Sequence, residues 1–153
     1  MSAIELDLRI AESAWHEIGD GERLCRRALE AGRAAAGGAG GALALLLTGD
    51  AQMQALNRDW RGRDKPTDVL SFPADDMAAG FLGDIALGHG VCARDAAAHD
   101  RDLPAHLAHL VIHGLLHLYG YDHMDDTEAA RMQALESEAL ARLGLPDPYW
   151  VPN

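Results

Sequence analysis

His113-Gly114-Leu115-Leu116-His117-Leu118-Tyr119-Gly120-Tyr121-Asp122-His123 is the stretch from which both the fold and the chemistry of this chain can be read. Four residues along an α-helix amount to about 40° of rotation, so the imidazoles of His113 and His117 project from one face, one above the other. A single ion can touch both. Gly120 stands where such a helix should end, because glycine adopts the left-handed conformation of a helix terminus without steric cost. The reversal it allows brings His123 toward the first two histidines, giving three imidazole nitrogens and leaving a fourth coordination position open, as in catalytic zinc sites. A leucine-rich helix with scattered histidines is ordinarily a core helix. Here the spacing of all three histidines around one glycine favours a metal. His106 and His109 fall close to the same helical face, and by periodicity alone either is a candidate ligand. Only His123 follows a glycine reversal, so His106 and His109 are expected to support the ligands or to lie on the helix surface.

Zinc peptidases of the metzincin type share this three-histidine spacing, but they place a glutamate directly after the first histidine as general base. Here that residue is Gly114, which accepts no proton. Peptide hydrolysis then requires some other carboxylate as base. Phosphodiester cleavage asks less of such a base, since a metal acidifies water by itself and the main demand is to stabilise charge on phosphate oxygens.

The histidine segment resembles the signature of the YbeY family, bacterial endoribonucleases that act in ribosomal RNA maturation. Arg61-Gly62-Arg63-Asp64-Lys65-Pro66-Thr67-Asp68-Val69-Leu70-Ser71-Phe72-Pro73 is similar to the family's other distinctive segment. Gly83-Asp84-Ile85, Asp147-Pro148-Tyr149 and the overall length also agree, so the resemblance spans nearly the whole chain. It implies one Zn2+ per chain held by His113, His117 and His123, with Arg61 as the catalytic arginine. It implies a single-strand-specific endoribonuclease that acts in 16S rRNA 3′-end processing and in small-subunit ribosome biogenesis and quality control. Single-stranded RNA, the small ribosomal subunit and assembly factors are then the partners, and neither DNA nor a membrane is expected. Arg63 and Lys65 are expected to bind the substrate backbone. Asp122 is expected to cap its turn or to orient an imidazole, and Asp68 and Asp84 are further candidates for supporting the ligands. Two competing readings are a ribosome-assembly factor with a structural zinc and a peptidase with a displaced base. Three imidazoles would also accept nickel or copper.

The net charge of -11 argues against an undirected nucleic-acid binder. Charge is uneven, however. Arg58, Arg61, Arg63 and Lys65, the only lysine, lie within eight residues and can hold phosphates locally. The competing expectation is a solvated loop whose arginines pair with Asp59 and Asp64. Residues 1–153 are read as one metal-dependent hydrolase domain, large enough to bury roughly 70% of its unfolded surface. Cys25 and Cys92 are far apart and outside any Cys-x-x-Cys arrangement, so two reduced thiols are expected. Met1 to Ile10 carries Glu5 and Asp7 and lacks the order of a secretory signal. The weakly polar run from Ala34 to Thr48 is broken by glycines and is shorter than the roughly 20 residues that span a bilayer. A cytoplasmic location is expected.

Periodicity places a strand of edge type at Ile4 to Ile10, a helix over Gly21 to Ala36 and a buried strand at Ala42 to Leu47. A helix from Ala51 to Trp60 follows, with Asp50 as N-cap. Strands are expected at Asp68 to Phe72 and Phe81 to Leu87, joined by a polar loop. Helices then cover Val91 to His99, Pro104 to Tyr119 and Thr127 to Leu143, the last capped by Asp126 and ended by Gly144. The histidine helix is apolar on nearly every side and should be central. The fold class is α+β: a small mixed sheet of about four strands covered by helices.

Overall fold

The computed structural model describes residues 3–76 and 79–149. β1 (Ile4–Ile10) leads through a short 3-10 helix (Ser13–Ile18) into α1 (Gly21–Ala36), β2 (Gly41–Thr48) and α2 (Asp50–Arg61). β3 (Val69–Pro73), β4 (Phe81–Gly88), α3 (His89–Ala98), α4 (Leu103–Leu118) and α5 (Asp126–Arg142) follow. The four strands form one mixed sheet in the order β1-β2-β4-β3. β2 lies parallel to both β1 and β4, and β3 runs antiparallel to β4. This is the α+β arrangement expected, with β1 at an edge.

Alternation along the two inner strands divides the apolar residues between the faces. Leu43, Leu45 and Leu47 of β2, with Ile85 and Leu87 of β4, join α1, α4 and α5 in the main core. Leu46 and Ala86 point the other way, toward Met53 and Leu56 of α2. Only the Ile85 side is deeply covered, and there α4 is the central element. Leu107, Val111, Ile112, Leu115 and Leu116 of α4 have no solvent exposure.

The fit of α4 to the sheet depends on one missing side chain. A Cβ on Gly114 would stand 3.0 Å from Ile85 Cγ2 and 3.1 Å from both Ile85 Cδ1 and Ser71 Oγ. The Ser71 hydroxyl donates to the Gly114 carbonyl at 3.0 Å, which fixes the same approach by a buried hydrogen bond. The position that holds a base in metzincins is therefore occupied by the sheet itself.

Several caps differ from expectation. α2 begins after Gly49, which makes no side-chain cap, and Asp50 is already helical. Its carboxylate instead accepts from the Val91 backbone N–H at 3.0 Å and from Arg94 at 2.9 Å, serving the start of α3. Asp125 rather than Asp126 caps α5, accepting from the Glu128 N–H at 2.8 Å. α3 starts at His89, two residues earlier than expected, and the 3-10 turn around the buried Trp15 has no counterpart in the periodicity reading. Cys25 and Cys92 are free and buried, and burial pushes the Cys25 thiol up to about 12.

A Gly114→Glu protein should lose at least about 3 kcal/mol of stability, combining overpacking with burial of an unpaired carboxylate. The urea midpoint measures it. An unchanged midpoint would mean that α4 has room at this position.

Candidate metal centre

α4 ends where sequence expects it to. Tyr119 is the C-cap, and Gly120 follows with φ at +97°, a left-handed value natural to glycine. The chain reverses, and the Tyr121 N–H bonds back to the Leu116 carbonyl at 3.0 Å. Asp122 then accepts from the His123 backbone N–H at 2.7 Å, so its role is to cap this turn. The result is that His113, His117 and His123 each offer a ligand atom, all within 4.8 Å of one another. Ring centroids of His123 lie 5.9 Å from His113 and 5.3 Å from His117.

The hydrogen bonds behind the rings decide what these nitrogens can do. His117 Nδ1 lies 3.0 Å from the Tyr121 carbonyl, which can only accept, so Nδ1 carries the proton. His113 Nδ1 lies 2.6 Å from Glu136 Oε2, a carboxylate that likewise accepts. In both neutral rings the lone pair is then on Nε2, and the two Nε2 atoms face each other at 3.0 Å. Two lone pairs at that distance call for a cation between them, and a metal ion fits the donor set. Burial lowers the pKa of His117, helped by repulsion from His113 and His123, which favours the neutral form that ligates.

Glu136 was not foreseen. It lies on α5 with no solvent exposure, among the inward positions Met132, Ala139 and Leu140. A single acid in an apolar stripe at i, i+4, i+7 and i+8 spacing is a signal the sequence does contain. Its other oxygen accepts from His109 Nε2 at 3.0 Å, and the Tyr149 hydroxyl also donates to it. Burial by itself would raise the pKa of Glu136, but hydrogen bonds from His109, His113 and Tyr149 outweigh it and bring the value down to about 2. His109 thus reaches His113 through a shared carboxylate. His106 is buried too, rather than on the helix surface, and neither of its ring nitrogens has a partner among the described residues.

The three metal-site histidines share one cleft with Arg61, Arg63 and Tyr149. Arg61 closes α2, whose end is shaped by left-handed Gly62, and it reaches over edge strand β3 to donate to the Ser71 carbonyl at 2.9 Å. Its guanidinium also stands 6.0 Å from the Phe72 ring centroid. The loop after it is pinned by buried Asn57, which donates to the Lys65 carbonyl at 2.9 Å. Arg58 pairs with Asp59, whereas Asp64 accepts from Gln54. Among the described residues, Arg61, Arg63 and Lys65 pair with no carboxylate. Lys65 is exposed and does not line the cleft. Asp68 does line it, although its carboxylate is engaged by the Val69 N–H at 2.7 Å. Asp84 does not. It alternates with Ile85 and so faces the opposite side of the sheet, beside Asp7 and Trp60.

Comparison with known proteins agrees with this geometry. Residues 12–144 match the family profile described as endoribonuclease YbeY. A protein of that description from Rhizobium meliloti (strain 1021) is 40% identical and covers 97% of this chain and 96% of its own length. One from a Bradyrhizobium species is 46% identical over 92% and 89%, and one from Sinorhizobium medicae is 52% identical over 70% and 67%. A Thermotoga maritima protein solved in solution shares the fold, with a TM-score of 0.59 at 23% identity over 96% of this chain and 100% of its own. This chain belongs to the endoribonuclease YbeY family.

Proposed function

We propose that the endoribonuclease activity of the family is zinc-dependent and single-strand-specific in this chain. The observation that carries the reading is one cleft holding three converging imidazoles and an arginine that pairs with no carboxylate among the described residues. His113, His117 and His123 would hold the zinc, which when bound acidifies water and polarises a phosphate. Arg61 is the catalytic arginine of this reading. Its planar, permanently charged fork is tethered to β3 and stands ready for phosphate oxygens on which charge builds up. Arg63 lies in the same cleft and holds the RNA backbone. Lys65 stands outside the cleft and steers or holds a more distant phosphate. Tyr149, 38% exposed, closes one side of the cleft.

Single strands suit the site because their bases can be splayed apart and their phosphates brought down into the cleft. The acidic remainder of the chain, with its net charge of -11, repels RNA elsewhere and confines binding to the cleft that holds Arg61 and Arg63. A partner that presents the RNA would overcome that repulsion. The reading extends, by the family resemblance alone, to 16S rRNA 3′-end processing in the cytoplasm with the small ribosomal subunit and its assembly factors as partners. No helix among the described residues is long and apolar enough to cross a membrane.

Zinc-loaded protein should cleave a defined single-stranded rRNA fragment, and a folded His117→Ala variant purified identically should not. Equal cleavage by both would trace the activity to a contaminant, and none by either would favour a binding role with a structural metal. Arg61→Ala is expected to reduce the cleavage rate by about 100-fold or more with zinc content unchanged. Loss of zinc from that variant would make the arginine structural.

A further inference from the structure

A carboxylate with no solvent exposure is a poor packing residue, since leucine or methionine would fill the same space without desolvating a charge. Glu136 stands at such a position with both oxygens engaged: His113 at 2.6 Å and His109 at 3.0 Å on separate oxygens, and the Tyr149 hydroxyl beside His109. We propose that Glu136 is a positioning residue of the metal centre, holding His113 as its Nδ1–H tautomer with Nε2 turned toward the ion, while His109 and Tyr149 hold the carboxylate. The proposal rests on the reading of the three histidines as zinc ligands.

Three observations separate this role from general support. The Nδ1–H of His117 meets a backbone carbonyl, so His113 is the ligand on α4 that depends on a side chain for its orientation. The bond to His113 is the shorter of the two histidine contacts on this carboxylate, 2.6 Å against 3.0 Å, and His113 has one oxygen to itself while His109 shares the other with Tyr149. The group that completes the arrangement comes from the end of the described chain. Arg101 donates to the Pro148 carbonyl at 2.9 Å, and Asp147 accepts from the Ser137 hydroxyl at 2.8 Å and from the Tyr149 N–H at 2.9 Å. These contacts hold the Asp147-Pro148-Tyr149 segment against α5 and bring the phenol over Glu136. The segment is then part of the metal centre's scaffold and not a surface tail.

The test is zinc affinity, measured in competition with a chromogenic chelator on the full chain and on Glu136→Gln, which preserves shape and removes the charge. Zinc should bind the variant about 10- to 100-fold more weakly, as when other supporting partners of metal-bound histidines are removed. The visible spectrum of the cobalt-substituted variant should shift with the altered ligand field. A folded variant that binds zinc as tightly as the parent, with an unchanged cobalt spectrum, overturns the proposal. Should the variant not fold, nitrogen NMR of the metal-free parent decides: a His113 protonated at Nδ1 and bare at Nε2 supports the role, and the opposite tautomer removes it. A parent protein that takes up no zinc overturns the metal reading itself, a result distinct from any difference between parent and variant.

Discussion

Everything in this molecule is arranged around how closely α4 can approach its neighbours. At Gly114 its backbone comes near enough to β3 and β4 for a Cβ to crowd Ile85 and Ser71. On another side, Gly32 of α1 plays the same part, since a Cβ there would stand 3.1 Å from Leu115 Cδ2. The helix is therefore gripped between the sheet and α1, with each contact allowed by a glycine. A helix held this way has little freedom to rotate, and its remaining face presents His113 and His117 at a fixed height over the cleft. Rigid support of this kind is what a metal site needs if its ligands are to stay within a fraction of an ångström of their working geometry.

Magnitudes show which polar contacts matter for that support. Arg26 with Glu22, Arg58 with Asp59 and Arg142 with Glu138 are exposed pairs, each worth about 0–1 kcal/mol. Hydrogen bonds to a charged group are worth about 1.5–3 kcal/mol apiece, and Glu136 receives three of them in the interior. The network ties α4, α5 and the 147–149 segment together at one carboxylate. Removing a single partner would leave a charge out of water and incompletely satisfied, so the elements around it have reason to remain in register.

Much of this is legible in the sequence. Asp20 and Gly37 bracket α1, and the alternation of Ile4–Ile10 marks β1, so both elements begin and end where the chain announces them. The histidine cluster is legible because its geometry is local: one helical turn and one glycine reversal bring the three rings together. The caps of α2 and α5 are not, since Asp50 and Asp126 each stand next to the true N-cap, and only backbone conformation distinguishes adjacent positions. Asp84 is a candidate in the sequence only for want of a strand register, and its alternation with Ile85 puts it on the face away from the histidines. Glu136 announces itself only as an acid in an apolar stripe. Its partner His109 is 27 residues away in sequence, and no local rule links the two.

The positions of the carboxylates also bear on what this cleft can process. In a metzincin the glutamate beside the first ligand acts as general base, but here a side chain at Gly114 would run into Ile85 and Ser71. The carboxylate that does meet a ligand lies behind the ring, fully buried, where it can orient an imidazole yet reach no substrate. Asp68 and Asp122 line the cleft, but each has an oxygen committed to a backbone N–H of its own turn. Arg61, Arg63 and Arg101 line it as well. A cleft whose arginines pair with no carboxylate among the described residues, while Asp68 and Asp122 serve their own turns, offers guanidinium groups more readily than a base for a neutral peptide. It is well equipped to draw in a polyanion and to stabilise charge that gathers on phosphate oxygens.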